Sequence, residues 1–232
     1  RIWPDCTGSD LGSRPITLCA MTDLPEPDSP TRHTISPAPT LNDTLRTAVL
    51  DRAITLASTE GLEGLTIGKL AESVGMSKSG LFAHFSSKDK LHAATLDEAG
   101  RRFVDMVVVP ALRQKRGEPR VRALFDHWLG WAKQDAMPGG CVFVAAAAEL
   151  DDKPGPARDK LVASQKDWLG VLSGAARIAM DEGDFRPDLD PDQFAFETYA
   201  IAFGFHTLMR LLRDRASEKR ARTAFDRLVR DA

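Results

Sequence analysis

The residues with the clearest capacity for chemistry lie between residues 75 and 91, in the stretch GMSKSGLFAHFSSKDKL. Ser77, Lys78 and Ser79 would stand at the amino end of a short helix, where free backbone N–H groups and the helix dipole favour a phosphate. Lys78 could also reach a guanine edge, and Gly80 has no side chain to hold the helix backbone away from the bases. This pattern predicts contact between a short helix and DNA.

Other side chains around this helix extend the predicted contact set. Phe82 could touch a thymine methyl group or a sugar, and Thr66 and Lys88 would begin the flanking helices, at positions suited to backbone phosphates. His84 is ambiguous, because burial or a structural hydrogen bond would explain it as well as DNA contact does. The predicted DNA-binding residues are Thr66, Ser77, Lys78, Ser79, Gly80, Phe82, His84 and Lys88.

Features typical of catalysis or metal binding are missing from the sequence. The five histidines show no HExxH spacing, and neither a nucleophile elbow nor a phosphate-binding loop is present. The three cysteines are scattered, which argues against a disulfide framework and fits a reducing cytoplasm. We therefore expect a cytoplasmic protein with no catalytic residue, no metal site and no cofactor.

Composition limits the class further. The chain has 232 residues, of which 43% are hydrophobic, enough for one or two domains with a core. Its formal net charge is -2, so DNA binding would have to come from a local basic patch. No apolar run reaches the length of about 18 residues that a membrane span needs, so we expect no membrane association.

The first forty residues differ from the rest of the chain. They hold half of its 14 prolines and few large apolar residues, so they cannot bury enough surface to offset their ordering entropy. We expect residues 1–40 to form a disordered, proline-rich arm. Because Met21 is the first methionine, we expect residues 1–20 to be an upstream remnant and residues 21–40 to be native.

From Thr44 onward, apolar residues recur at helical spacing, and no segment alternates with period two over the length of a strand. The pattern predicts an all-α fold. Gly61 would close the first helix, Gly75 would form a tight turn between two short helices, and Pro110 would kink or end a long helix that begins near Lys88. Further helices are predicted at 118–135, 140–150, 156–182, 191–213 and 217–230.

The two short helices, joined through Val74, Gly75 and Met76, have helix-turn-helix geometry. The stretch TIGKLAESVGMSKSGLFAHFSSKDKL, preceded by a helix from Val49 to Gly61, resembles the N-terminal domain of TetR/AcrR-type transcriptional regulators. It has that family's order of features: a helix that starts at a threonine, a glycine turn, a serine-capped recognition helix, an aromatic residue, then His-Phe and Ser-Lys before a long helix.

This resemblance implies an all-α homodimer that binds double-stranded, palindromic operator DNA through a domain at residues 43–103. Residues 104–232 would form a C-terminal domain for dimerisation and for sensing a small-molecule effector. We expect a repressor that the effector releases from DNA. A helical ligand-binding or adaptor protein that does not bind DNA is the alternative, followed by a helical enzyme.

One position departs from the family pattern. Members usually have tyrosine where this chain has Phe82, and the phenol oxygen commonly meets a phosphate. Phe82 cannot make that hydrogen bond, which would be worth about 1 kcal/mol. A looser resemblance to one subgroup extends to Gly-Gly-Cys at 139–141, to Glu-Leu-Asp at 149–151 and to Trp168.

Aromatic residues are concentrated on the helices between residues 120 and 206. They could form a packed core or surround a ligand, and the resemblance favours a cavity because this domain usually encloses one. Cys141 follows two glycines at a predicted helix start, and it is either a reactive sensor or a small buried side chain. The predicted ligand-binding residues are Trp128, Phe143, Trp168 and Phe203.

The segment at 191–213 is apolar on two faces, so it needs covers on two sides. The core supplies one cover, and a partner subunit would supply the other through a four-helix interface with the helix at 217–230. One larger monomeric core is the alternative. The predicted dimer-interface residues are Phe194, Thr198, Ile201, Phe205, Met209, Phe225 and Leu228.

Overall fold

The computed structural model describes residues 41–232, so the predicted arm at residues 1–40 lies outside the described residues. Over the described range the chain forms nine helices and no strand, which confirms the all-α class. The helices are α1 (Leu41–Gly64), α2 (Ile67–Val74), α3 (Lys78–Phe85), α4 (Lys88–Phe103, continued by a π-helical segment at Val104–Val108 and a last α-helical turn at Val109–Leu112), α5 (Glu118–Trp131), α6 (Val142–Leu150), α7 (Pro156–Asp181), α8 (Pro191–Arg210) and α9 (Ser217–Asp231).

The three N-terminal helices begin and end where local chemistry predicts. The Thr66 hydroxyl caps α2 and the Ser77 hydroxyl caps α3, because each accepts a backbone N–H from three residues further on. Gly75 adopts a left-handed conformation, with φ of 68°, that closes α2. Gly61 interrupts the regular dihedrals of α1 with φ of 77° and ψ of 170°, and one more helical turn follows it to Gly64.

Helices α2 and α3 are held by apolar side chains that point inward. Leu70, Leu81 and Phe85 are almost completely buried and join the core that α1 and α4 share with them. Ala71 is equally buried, and its small side chain allows α2 and α3 to pack closely. Because the inward side chains fix the rotation of α3, its polar residues are turned to the outside.

Helix α4 does not end at Pro110, which was one of the two outcomes predicted for that residue. Its start is capped by Ser87, whose hydroxyl accepts the Lys90 N–H, and it continues past Pro110 to Leu112. Proline has no N–H to donate to the preceding turn. A π-helical segment at Val104–Val108 lies directly before Pro110, so the irregular hydrogen bonding occurs there and the helix does not end.

The C-terminal helices pack through aromatic rings. Phe103 of α4 makes edge-to-face contacts with Trp131 and Trp168, at centroid distances of 5.3 and 4.9 Å. Phe125 of α5 stacks on Phe225 of α9 at 3.9 Å. Helix α5 ends four residues before the predicted boundary, because successive tight turns follow Trp131. Over residues 41–232, none of the helices has the length and apolar character required to cross a membrane.

The structure corrects four of the seven predicted dimer-interface residues. Phe194, Thr198, Phe205 and Phe225 are almost completely buried inside the single chain, so they leave no surface for a partner. The other three predicted residues, Ile201, Met209 and Leu228, are partly buried and pack against the same core. The reason is the two apolar faces of α8: periodicity shows that both exist, but not which one faces inward.

The opposite side of α8, and the residues that follow it, carry large exposed apolar side chains. Phe196 is 61% exposed, Phe203 39% and Leu211 76%. Large apolar side chains clustered on a surface mark an interaction site more often than chance exposure does. The large apolar side chains available for a partner are therefore different from the predicted dimer-interface residues.

We expect Phe225→Ala to lower the free energy of unfolding by about 3–5 kcal/mol, because it removes a fully packed ring from the chain's own core. Urea unfolding followed by tryptophan fluorescence measures the change. Arg227→Ala, an exposed position on the same helix, is the matched control and should stay within about 0.5 kcal/mol. If Phe225→Ala left the stability unchanged and abolished self-association, Phe225 would belong to the dimer interface, as the sequence analysis predicted.

Candidate nucleic-acid interface

The amino end of α3 presents a polar surface to solvent. Ser77, Lys78 and Ser79 are exposed, and the two serine hydroxyls lie 3.2 Å apart. Ser77 also accepts the Gly80 N–H at 3.1 Å. A Cβ at Gly80 would lie 3.1 Å from the Ser77 hydroxyl oxygen, so glycine leaves room for this cap. The surface can therefore approach a phosphate group closely.

Lys78 lies across the start of the neighbouring helix. A Cβ at Gly68 would come within 3.1 Å of its Cε, so the side chain passes directly over the first turn of α2. The positive end of that helix and the ammonium group thus occupy the same region, and both favour an anion. No carboxylate in the described part of the chain pairs with Lys78, which leaves its charge available.

Phe82 lies on the same outer surface and is 54% exposed. Thr66 is half-buried, and its hydroxyl still has a proton to donate after it accepts the Lys69 N–H. His84 is half-buried in the last turn of α3. The structure thus gathers seven of the eight predicted DNA-binding residues on or beside α2 and α3, and their contacts with DNA stay predictions.

Lys88 has a different environment from the one predicted. Its ammonium group donates to the Glu63 carboxylate at 3.0 Å and to the Glu63 carbonyl at 3.1 Å. Lys153 approaches the same carboxylate at 3.3 Å. The hydrogen bond from Lys88, followed by that from Lys153, holds the pKa of Glu63 below its ordinary value. The sequence analysis did not predict this solvent-exposed ion pair, because it depends on a contact 25 residues away. The contact of Lys88 with a DNA phosphate stays a prediction.

Arg46 is a cationic residue that the sequence analysis did not single out. Its guanidinium lies 5.4 Å from the centroid of the Phe85 ring, in a cation–π arrangement at the base of α3. The sequence gives little indication that Arg46 lies beside α3, because arginine is common on exposed helix faces. Its position becomes informative only once Phe85 is known to lie beneath it.

A pocket lies among α4, α5, α6, α7 and α8, and all four predicted ligand-binding residues border it. Trp128, Phe143, Trp168 and Phe203 contribute aromatic walls. Tyr199 supplies a hydroxyl that donates to the Gln165 side chain at 2.9 Å. The enclosed space is about 20 Å³, enough for one water molecule. The remaining lining residues are Phe103, Cys141, Val144 and Ser164, so none of the lining residues is charged.

The glycines before α6 permit two close contacts. A Cβ at Gly139 would lie 1.5 Å from the Ser58 carbonyl oxygen, so this glycine allows the segment to pack directly on α1. Gly140 has φ of 91°, and a Cβ there would lie 2.5 Å from Nε2 of His206. The Gly-Gly pair therefore joins α1 on one side to α8 on the other.

Cys141 and His206 form the polar part of this joint. Burial raises the pKa of the Cys141 thiol, whose sulfur accepts the Trp131 indole N–H at 3.3 Å. The buried thiol form favours a packing role for Cys141 over a reactive sensor. The Cys141 backbone N–H donates to Nε2 of His206 at 3.0 Å. Burial, together with the nearby Arg210 charge, lowers the pKa of His206 to about 4.

A three-helix unit with an exposed helix α3, joined to a helical domain that encloses an apolar pocket, defines a helix-turn-helix regulator. Residues 49–95 match the model described as bacterial regulatory proteins, tetR family. Residues 117–225 match the model of the tetracyclin repressor-like C-terminal domain. The chain belongs to the TetR family and is a DNA-binding transcriptional regulator.

Among curated relatives, the chain is 28% identical over 153 residues to the HTH-type transcriptional repressor KstR2 of Mycobacterium tuberculosis, covering 63% of this chain and 72% of KstR2. It is 27% identical over 64 residues to the biofilm operon regulator IcaR of Staphylococcus epidermidis. That match covers 28% of this chain and about a third, 35%, of the length of IcaR.

Solved structures share the fold. A TetR transcriptional regulator from Chloroflexus aurantiacus matches with a TM-score of 0.71 and 25% identity, covering 80% of this chain and 92% of that one. AibR, solved in complex with isovaleryl coenzyme A and operator DNA, matches with a TM-score of 0.65 and 22% identity, covering 79% and 97%. The likeness to AibR shows the fold alone.

We expect His206 to make the chain less stable in weak acid. Its folded-state pKa of about 4 lies below the ordinary value of 6.5, so the unfolded chain takes up the proton first as the pH falls. The stabilisation is complete above pH 6.5 and is lost as the pH falls from 6.5 to about 4. His206→Gln keeps an acceptor for the Cys141 N–H but cannot be protonated in this range. Urea midpoints between pH 7 and 4 should therefore fall less steeply for His206→Gln than for the wild type.

The matched control is His127→Gln, which removes a half-buried histidine from α5. It should follow the wild-type pH profile. Identical profiles for His206→Gln and the wild type would show that protonation of His206 does not limit stability.

Proposed function

We propose that this chain is a transcriptional repressor that binds a palindromic operator as a homodimer and leaves it when a small, uncharged effector enters the apolar pocket. The exposed amino end of α3, with an unpaired Lys78 beside the start of α2, is the observation that carries the DNA-binding part. The relative KstR2 is a transcriptional repressor, which supports repression over activation for this chain. The family supports a regulator and not an enzyme, and DNA binding in turn supports the cytoplasm.

In the proposed complex, α3 enters the major groove. Ser77 and Ser79 hydroxyls and the free N–H groups at the helix start would meet phosphates, while Lys78 meets a phosphate or a guanine. The Phe82 ring, exposed to water in the free chain, would pack against a thymine methyl or a sugar. Thr66 would donate its hydroxyl proton to the backbone at the start of α2. Lys88, which pairs with Glu63 at the start of α4, would meet a phosphate from its exposed position.

The proposed homodimer uses the exposed apolar face of α8 and the residues after it. Phe196, Phe203 and Leu211 would be covered by the same residues of a second copy, in an isologous interface with a two-fold axis. The two α3 helices would then stand about 34–36 Å apart and enter successive major grooves. The two-fold symmetry of this dimer would match the two-fold symmetry of a palindromic operator.

The proposed effector is largely apolar and neutral, because an ion would lose its hydration among lining residues that carry no charge. It would hydrogen-bond to Tyr199 or Gln165 at one edge. A molecule larger than water must push the walls apart, and one wall, Phe103, belongs to α4. A pendulum-like shift of α4 would then move α3, which is joined to it through Ser86 and Ser87.

We also propose that the two functional units meet within α4. The DNA-binding unit would comprise residues 43–103 and the regulatory unit residues 104–232, with the boundary where the π-helical segment begins at Val104. An irregular segment of this kind is a site where a helix can bend. The AibR complex, which contains both an acyl coenzyme A and operator DNA, supports the idea that this fold serves two ligands.

Lys78→Ala should weaken binding to a duplex that the wild-type chain enriches from random DNA. Each Lys78 would neutralise one phosphate, so loss of both in a dimer should reduce the salt slope of log K by about two units. Electrophoretic titration at several salt concentrations measures the slope. Lys115→Ala, an exposed position in the loop after α4, is the control and should leave the slope unchanged. An equal slope for Lys78→Ala and the wild type would remove Lys78 from the interface.

Phe196→Lys should convert the protein from a dimer to a monomer, because it places two like charges in the centre of the proposed interface. Analytical ultracentrifugation should show twice the 25.4 kDa chain mass for the wild type and the single chain mass for the variant. Met106→Lys changes another exposed apolar residue, on α4, and should remain dimeric. A dimer that persists in Phe196→Lys would place the interface elsewhere.

A further inference from the structure

One carboxylate connects the C-terminal half of the chain to the helix on which α2 and α3 pack. Glu149, near the end of α6, accepts the backbone N–H of Leu62 at 3.1 Å and that of Glu63 at 2.8 Å. These two amides follow the interruption of α1 at Gly61, where a new helical turn starts without its own cap. Glu149 therefore acts as an N-cap supplied from 86 residues away.

The absence of a side chain at Gly61 leaves space for the Glu149 carboxylate. Its φ of 77° is a conformation that residues with side chains rarely adopt, and a Cβ there would lie 2.3 Å from Oε1 of Glu149. The two residues thus fit together: glycine breaks α1 and exposes the amides, and glutamate satisfies them. Hydrogen bonds to a charged acceptor are among the stronger ones in proteins, which makes this a firm attachment.

The chain segment that carries Glu149 touches α1 at two more points. The Thr55 hydroxyl donates to the Ala136 carbonyl at 3.0 Å, and the Gly139 N–H donates to the Ser58 hydroxyl at 3.2 Å. Residues 136–150 are therefore held along the second half of α1. This contact is separate from α4, the other connection between the two halves of the chain.

The same segment forms one wall of the pocket through Cys141, Phe143 and Val144. These residues lie at the start of α6, and Glu149 lies near its end, about one and a half to two helical turns away. Because a short helix moves as a unit, displacement of the wall displaces the carboxylate. The turn that the carboxylate caps leads to buried Leu65 and directly to Thr66, the cap of α2.

We propose that Glu149 is a positioning residue for DNA binding, which fixes the end of α1, and with it α2 and α3, according to the state of the pocket wall. This inference rests on the proposed function, in which α3 binds DNA and an effector enters the pocket. It adds a second path to the movement of α4. A molecule that pushes Phe143 outward would withdraw the cap from Leu62 and Glu63 and loosen the start of α2.

The test uses Glu149→Gln in the full chain, because glutamine has the same shape but only one acceptor oxygen and no charge. We expect about ten-fold weaker binding to the duplex enriched by the wild type, within the range of known couplings. We also expect at least about ten-fold faster hydrogen exchange at the Leu62 and Glu63 amides. Asp152→Asn makes the same charge change three residues on, at an exposed position, and should alter neither quantity.

Exchange of the α9 amides shows whether the variant remains folded, and it should match the wild type. Gly61→Ala is the second variant: it keeps the carboxylate but takes away its space, so it should weaken DNA binding as Glu149→Gln does. Faster exchange at Leu62 and Glu63 with unchanged DNA affinity would overturn the positioning role. Unchanged exchange would overturn the contact itself.

The two proposals fail in different ways. If the wild-type chain enriches no duplex, the proposed function fails, and the positioning role fails with it. The exchange comparison would then still decide whether Glu149 joins α6 to α1. If the wild type enriches a duplex and Glu149→Gln binds that duplex as tightly as the wild type does, the further inference is contradicted. The proposed function then stands.

Discussion

Burial of Leu81 and Phe85 beneath α1 and α4 is the interaction on which the recognition surface depends. Helix α3 has eight residues, and an isolated helix of that length is not stable in water. Its Ser77 to Ser79 surface faces outward only because these two side chains are held inside. The orientation of α3 is therefore set by the two longer helices beneath it, and anything that shifts those helices shifts the surface.

Both longer helices reach the half of the chain that contains the pocket. Helix α4 carries Phe103, which packs against three aromatic rings and borders the pocket. Helix α1 receives the Glu149 carboxylate at its interruption. The pocket holds about one water molecule, so its walls are in contact in the absence of an effector. A pocket packed this tightly can transmit the entry of a ligand only by moving its walls.

Local features of this fold could be predicted from sequence, and contacts between distant residues could not. Thr66, Ser77 and Gly75 act within a few residues of themselves, so their capping roles follow from residue type. The Lys88–Glu63 pair and the Glu149 cap depend on which helices become neighbours. The inward face of α8 could not be chosen, because both faces are apolar and the choice lies in packing. The aromatic residues that line the pocket could be named from sequence because rings are concentrated on the helices of that domain.

Selection of bound sequences from random double-stranded DNA tests the central claim most directly, because it needs neither the effector nor the target genes. A homodimer that presents two α3 helices should enrich a palindrome whose half-site centres lie about one helical turn apart. Enrichment of a single, non-repeated site would contradict the dimeric arrangement. Failure of the full chain to enrich any sequence would contradict DNA recognition by α3 itself.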